Sequence, residues 1–339
     1  MKIKESKVFV TGGAGFIGSH IVEELVALGA EVTVYDDFSF GKLDNLAHIK
    51  NEINIVEGSI LDFELLKNEM KEHDVVSHQA AQLEIFLGAD NPIQDLNINT
   101  IGTLNVLKAA KVNEVRKVIN ASSACIYGQT ISRTAEDYLP MPNWEYGVSK
   151  LAAERYGTIY SKYKNLGVVN LRYAIAYGER EWYRRVLTIF IKRAIQNKPL
   201  VVFGDGKQIR DFVYVKDVVK LHNLCIENEA ANGQSYNVGT GTSTTIIDLA
   251  NLVADVAEDV LEYRPTIIFE ETKEGDYSKL VPDKKRNTAE LNVMLLDIEK
   301  AYKELGWKPK TALEQGIRNE MIWAVNNLEY WNKIHYTTG

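Results

Sequence analysis

Cysteine is nearly missing from this chain: two of 339 residues, Cys125 and Cys225. A disulfide framework is excluded, and both thiols read first as small buried hydrophobes. Positive charge is also in deficit. Lys and Arg number 39 against 46 Asp and Glu, giving a net charge of −7. Such a chain has no long-range pull toward nucleic acid or an anionic membrane, although a locally basic pocket for a small anion remains compatible with it. No uncharged apolar run approaches the length of a bilayer span, and residues 1–13 carry neither the apolar stretch nor the cleavage site of a secretory leader. A cytoplasmic location is expected. Internal repeats and low-complexity tracts are absent as well. What is there is ordinary for a globular protein: 45% apolar and 25% charged residues, in a length that suits about two domains.

Short β-prone runs alternate with helical patterns through the first half. Strands are expected at 8–10, 31–35, 53–56, 75–78, 115–121 and 167–172, and helices at 19–28 (closed by Gly29), 98–110 and 146–163. This alternation implies right-handed βαβ units, a parallel sheet and an α/β fold. The second half is less regular. Helices are expected at 186–196, 246–257, 297–305 and 313–323, strands at 200–203 and 265–269, and a polar loop over 270–290.

Between the first strand and first helix lies Thr11-Gly12-Gly13-Ala14-Gly15-Phe16-Ile17-Gly18. Glycines at 12, 15 and 18 permit a tight turn, close backbone approach to a pyrophosphate and close helix–strand packing. The helix N-terminus then offers free N–H groups to the anion. Asp36, eighteen residues on at the end of the second strand, is placed to accept from a ribose diol. With Asp37 it repels a 2′-phosphate, which favours NAD over NADP. A solvated loop aspartate is the plainer reading, and it suits Asp37 better than Asp36.

Tyr146 and Lys150 form YxxxK on an expected helix, the phenol and the ammonium on one face. A nearby ammonium is expected to lower the phenol pKa toward a working base. Tyr160 and Lys164 repeat the spacing and read as a solvated face. Context separates the two, because Ser122-Ser123-Ala124-Cys125-Ile126-Tyr127-Gly128 ends the strand before Tyr146, where open α/β sheets bind their ligands.

With these motifs, His78-Gln79-Ala80-Ala81, Asn99-Thr100-Ile101-Gly102-Thr103 and the segment 204–212, the chain resembles extended short-chain dehydrogenases/reductases of the nucleotide-sugar epimerase and dehydratase group. The UDP-galactose/UDP-glucose 4-epimerase branch is the nearest match, and the likeness runs through 305–309. It implies a modified Rossmann fold, doubly wound on a parallel sheet, with a smaller C-terminal α/β substrate domain. Residues 1–176, rejoined by about 211–242, would hold NAD; 177–210 and 243–335 would hold the nucleotide sugar. A homodimer through helices 97–111 and 146–163 is also implied.

The resemblance makes Ser123, Tyr146 and Lys150 catalytic. It assigns NAD to Gly12, Gly15, Phe16, Ile17, Asp36, Asp37, Ser39, Gly41, Lys42, Ser59, Ile60, Ala80, Ala81, Gln82, Asn99, Tyr146, Lys150 and Tyr173. Ser123, Cys125, Tyr146, Arg185, Val201, Phe203, Gln208, Arg210 and Lys273 would contact an NDP-sugar, a UDP-sugar by preference. No metal site is expected. Departures from the pattern narrow the chemistry. Related 4,6-dehydratases and uronate decarboxylases carry acids where this chain has Ala124 and Cys125, which disfavours elimination and decarboxylation. Ser59 replaces an adenine-binding Asp, Ile175 replaces an Asn that touches the substrate, and Lys273 stands for a phosphate-binding Arg, losing its bidentate fork. Cys125 also matches a motif of GDP-mannose 3,5-epimerase, in which this cysteine is an acid/base. A 5- or 3,5-epimerase is therefore the alternative to a 4-epimerase, with a dehydratase or a non-catalytic NAD binder behind it. Arg184 and Arg185 suit a diphosphate, an acidic sugar or a solvated helix face, and His78 a structural role.

Overall fold

The computed structural model describes residues 1–83, 85–181, 185–282, 284–286 and 288–332. Arg184 and the last three residues of the expected substrate domain lie outside them. The strands of the first half are β1 (Lys7–Thr11), β2 (Glu31–Asp36), β3 (Ile53–Glu57), β4 (Val75–His78), β5 (Lys117–Ser123), β6 (Gly167–Tyr173) and β7 (Ile175–Tyr177). Those that follow are β8 (Leu200–Phe203), β9 (Ile209–Arg210), β10 (Phe212–Tyr214), β11 (Ser235–Val238), β12 (Thr244–Thr245), β13 (Ile267–Glu270) and β14 (Val293–Met294). The helices are α1 (Phe16–Ala27), α2 (Phe63–Glu69), α3 (Ile85–Asp90), α4 (Pro92–Leu96), α5 (Thr103–Val112) and α6 (Glu145–Tyr163). After them come α7 (Val186–Ile195), α8 (Val215–Glu227), α9 (Ile246–Leu261), α10 (Glu299–Leu305), α11 (Leu313–Asn326) and α12 (Leu328–Asn332).

Seven strands form one parallel sheet in the order β11-β6-β5-β4-β1-β2-β3. The order reverses between β1 and β4, which opens a crevice at their carboxyl ends. Alternation along each strand feeds two faces. On β1, Val8 and Val10 enter the core beneath α1 and α8, while Phe9 turns to the core beneath α2 and α5. A third apolar cluster gathers α7, α9, α11 and β8. The segment after β9 packs on both bodies. Val213, Val218 and Leu221 join the sheet core, and Phe212, Tyr214 and Val215 join the third cluster. We propose that the two domains divide along this seam.

Asp211 fastens the seam. Its buried carboxylate accepts the N–H groups of Thr240 at 2.7 Å, Gly241 at 3.1 Å and Leu296 at 3.2 Å, together with the Thr240 hydroxyl at 2.7 Å.

Several boundaries differ from expectation for identifiable reasons. The first helix starts at Phe16 rather than 19, because the glycine turn runs straight into it with Gly15 as its extended N-cap. A Cβ on Gly18 would sit 2.1 Å from Gly12 O, so the third glycine is a packing requirement. The helix expected at 98–110 is two pieces, a π-helical turn at Asn97–Gly102 followed by α5. β5 runs on to Ser123, two residues past its expected end, which sets that hydroxyl at the sheet edge. Neither α2, α8 nor β11 was anticipated.

Candidate active site

An open cleft follows the carboxyl ends of the sheet strands. Gly12, Gly15, Phe16 and Ile17 line its middle, with Asp36, Asp37, Ser39, Gly41, Ser59 and Ile60 toward one end. Ala80, Ala81, Gln82, Ser123, Tyr146, Lys150 and Tyr173 line it toward the other, joined by Ala176, Glu181 and Arg185.

The glycine end is built for close approach. Gly12 has φ +67°, and a Cβ there would stand 2.5 Å from Ala80 N across the crevice. On the far side Asp36 Oδ2 accepts Ala14 N–H at 2.9 Å and Oδ1 accepts Phe38 N–H at 2.9 Å. Burial pushes this carboxyl up; the two N–H bonds pull it back, and Asp37 adds to the rise. An ionised carboxylate has about four acceptor sites, so acceptor capacity is left for a ribose diol. Phe16 and Ile17, in the first turn of α1, face the cleft with the helix N-terminus behind them. These residues fit a dinucleotide.

At the other end Ser123, Tyr146 and Lys150 converge on the same cleft. Two glycines make this possible. Gly128 turns the chain after β5 with φ +70°, where a Cβ would collide with Met141 O at 1.8 Å. Gly147 lets α6 press against the turn, its missing Cβ only 2.6 Å from Cys125 O. Behind Lys150, Glu154 takes a bidentate bond from Arg172 (Nε 3.1 Å, Nη2 2.6 Å) and the Ser122 hydroxyl at 2.7 Å. This locks α6 to β5 and β6.

The electrostatics correct one expectation. Burial pushes Tyr146 well above the usual phenol range. Cys125 and Asp95 push it further, and Ser123 and Arg185 oppose the rise. Lys150 is itself pulled down to about 8 by burial, with Asp95 and Glu154 holding it from falling further. The phenol is therefore protonated at neutral pH. His78 is structural as expected: buried, it bridges Thr11 Oγ1 at 2.7 Å and Thr103 Oγ1 at 2.9 Å, and burial pulls it down to about 3.

Two expected cofactor contacts lie off the cleft lining. Asn99 is occupied by the protein: Oδ1 accepts Gln82 N–H at 3.0 Å, and Nδ2 donates to Gln82 O, Asp95 Oδ1 and Ser149 Oγ. Its bonds tie Gln82 to α6, and Thr100 Oγ1 adds a second bond, to Ser149 O. Lys42 reaches away over the Tyr330 ring, 4.6 Å from its centroid. The decoy pair separates because α6 ends at Tyr163. Lys164 is the exposed residue beyond it, and Tyr160 leans on the sheet core instead.

Of the substrate candidates, Ser123, Tyr146 and Arg185 line the cleft. Cys125, Val201, Phe203, Gln208, Arg210 and Lys273 do not. Val201 and Phe203 lie on β8, and Gln208 leads into β9. Arg210 bonds Leu291 O at 2.7 Å and lies 3.5 Å from Glu290. Lys273 is exposed. Cys125 packs with Trp144, Tyr146 and Leu291, and burial pushes its thiol up, against Ser123, Arg185 and Arg210. That opposes a resting thiolate. Among the described residues no cluster of metal ligands occurs and no helix is long and apolar enough to cross a membrane.

Glu181 was missed by the sequence reading. It lines the cleft, and neither carboxylate oxygen has a hydrogen-bond partner. Its signal was an acid three residues after Gly178, in the loop leaving the last strand of the cleft.

Comparison with known proteins places this architecture. A family model described as the NAD dependent epimerase/dehydratase family matches residues 8–239. The chain is 33% identical to a UDP-glucose 4-epimerase of Mycolicibacterium smegmatis, over 92% of this chain and 96% of the other. It is 31% identical to a UDP-N-acetyl-alpha-D-glucosaminuronate decarboxylase of Bacillus cytotoxicus, over 94% and 98%. The crystal structure of a Thermotoga maritima UDP-glucose 4-epimerase with UDP-glucose superposes with a TM-score of 0.83 at 32% identity, covering 95% of this chain and 99% of that one.

Proposed function

Since the chain belongs to the NAD-dependent epimerase/dehydratase family, with NAD as its cofactor, we propose that it is a UDP-sugar 4-epimerase working through a 4-keto sugar. One observation carries the reading. Ser123, Tyr146 and Lys150 meet in the cleft that fits the dinucleotide, and the positions after Ser123 are Ala124 and a buried thiol rather than carboxylates. Bound NAD supplies a reversible hydride acceptor there.

The remaining steps belong to the chain. With NAD and sugar bound, Tyr146 gives its phenolic proton to solvent, and the phenolate Oη then takes the proton of the sugar 4-hydroxyl and later returns it. Ser123 Oγ hydrogen-bonds the same oxygen as its charge changes. Lys150, the cleft-lining ammonium beside them, favours the phenolate once a sugar hydroxyl is in place. Arg210 and Lys273 hold the sugar nucleotide from the β9 side, which requires that part of the chain to approach the cleft on binding. The decarboxylase relative acts on a uronate; here the acid-free positions favour hydride return instead.

The test is product analysis by NMR, with UDP-glucose, UDP-galactose and their N-acetyl and uronate counterparts, in deuterated water. Interconversion at C4 without deuterium incorporation is expected. Deuterium at C3 or C5 would instead support the Cys125 epimerase, and loss of carbon dioxide or water would overturn both readings.

A further inference from the structure

The end of the cleft where Asp36 would take the adenosine ribose is walled by the loop after β2. Asp37, Ser39, Phe40 and Gly41 line it, and Gly41 lies so close to Asp36 that a Cβ there would stand 2.7 Å from Oδ1. Two bonds fasten the loop to the glycine turn below: Ala14 O accepts Lys42 N–H at 3.0 Å and Asn45 Nδ2 at 2.9 Å. Both bonds converge on one carbonyl, a narrow footing for a surface loop.

Further fastening comes from remote parts of the chain, the loop leaving β7 and helix α12. Arg180 Nη1 donates to Asn45 O at 3.2 Å; its Nη2 pairs with Glu23 of α1 and contacts His20 Nδ1 at 3.3 Å. His20 Nε2–H donates to Glu179 O at 2.8 Å, which leaves Nδ1 to accept from the guanidinium. Tyr330 of α12 sets its ring against Lys42, the ammonium 4.6 Å from the centroid, and donates its hydroxyl to Arg180 O at 3.3 Å. Trp323 of α11 braces the same ring edge-on at 5.1 Å, and Tyr330 packs on the apolar cluster of α7, α9, α11 and β8. On either side of this contact Phe38 and Arg180 hold φ of +55° and +69°. Such angles are costly for a residue other than glycine and persist only where the surroundings enforce them.

We propose that Tyr330 and Arg180 are positioning residues for the cofactor: they clasp the 37–45 loop over the adenosine end of the cleft and set how long NAD stays bound. Release requires the loop to lift from Asp36. Lifting it breaks the Lys42–Tyr330 contact and the Arg180–Asn45 bond together. A loop serving only its own sheet would need no fastening from the last described helix. Hydride return to the same sugar demands a coenzyme that stays through the cycle. That use of the clasp rests on the epimerase reading, whereas the clasp itself requires only that NAD lie with its adenosine at Asp36.

The test is the rate at which the NAD-loaded chain releases its cofactor, read by chasing labelled NAD with an excess of unlabelled NAD and no sugar present. Tyr330→Ala should release NAD about tenfold faster, with association changed by no more than a few-fold, because the lost cation–π contact acts mainly on dissociation. Tyr330→Phe keeps the ring and should stay near wild type. Lys42→Met should match Tyr330→Ala within a few-fold, and the double variant should release no faster than Tyr330→Ala alone. Arg180→Ala should accelerate release as well. A merely structural Tyr330 would lower the melting temperature of Tyr330→Ala and leave its release at the wild-type rate. A wild-type rate in Tyr330→Ala or Arg180→Ala would overturn the proposal, as would equal rates in Tyr330→Phe and Tyr330→Ala or additive effects in the double variant. Lys42→Met, a change on the loop itself, carries the test if Tyr330→Ala does not fold. With no sugar in the assay, a failure of UDP-glucose to react would count against the epimerase reading and leave these outcomes to decide the clasp.

Discussion

Tyr146 meets the cleft as a protonated phenol, which moves the burden of activation from the resting residue to the loaded site. Tyr146→Phe should lower turnover by about 10²–10⁴-fold, the range of a positioned acid/base, with NAD affinity within a few-fold of wild type. Tyr160→Phe should leave turnover near wild type; steady-state kinetics and calorimetry read both. Lys150 carries a cost that its function explains. Its folded pKa, about 8, lies below the ordinary 10.5, so the unfolded chain binds the proton more tightly. The penalty is fully present below pH 8 and vanishes as pH rises through 8 toward 10.5. Lys150→Met should therefore melt higher than wild type at pH 7, by up to about 3 kcal/mol of stability, while losing activity and NAD affinity. The stability gap should close by pH 10.5. Thermal melts across pH check the sign, and a less stable variant at pH 7 would refute it.

At the scale of elements, Gly147 decides whether α6 can deliver the phenol. Alanine is favoured over glycine in a helix by about 1 kcal/mol. Its methyl would nevertheless stand 2.6 Å from Cys125 O and 2.7 Å from Pro142 Cβ, and the carbonyl belongs to the turn that positions Ser123. Gly147→Ala should destabilise the protein by about 1–3 kcal/mol. It should also lower kcat more than it raises KM, since a displacement of about 1 Å costs up to 10²-fold; urea unfolding and kinetics measure the two. What could be read in the sequence follows the same logic. Elements with strong local periodicity or hard punctuation were visible: the glycine turn, β1 to β6, α6, α7, α9 and α11. The segment holding α8 and β11 was not. Val215, Val218 and Val219 are weak helix formers, and Ser235–Val238 is short and half polar, so tertiary packing on β6 and α1 decides both. In the site, the cleft residues attached to glycine and YxxxK spacing were legible. Asn99, expected at the cofactor, is engaged by Gln82, Asp95 and Ser149 at the π-helical turn, and Glu181 reaches the cleft from the loop after β7, which has no periodicity to read.

Over the whole molecule, the outer surface of α4, the π-helical turn and α6 is conspicuously apolar. Ile93 is 65% exposed, Val148 53% and Tyr163 68%, with Leu96, Ile101, Tyr156 and Ile159 beside them. Val148, Tyr156, Ile159 and Tyr163 fall along one face of α6, and a patch of this kind is unusual on a monomer. We propose that it pairs two copies of the chain. Light scattering at micromolar concentration should give a dimer for wild type and a monomer for Ile159→Asp; a wild-type monomer would refute the pairing. Asp211 carries a mechanical consequence. Bonds from one carboxylate to the chain after β11 and after β14 make it a rivet between the sheet and the neighbouring body, and a riveted joint can turn but cannot slide. When a sugar nucleotide draws Arg210 toward Tyr146, the rotation axis should pass close to Asp211. Spin labels on either side of that carboxylate should keep their separation on loading, whereas labels at Leu61 and Phe269, far out on the two arms of the lever, should move together.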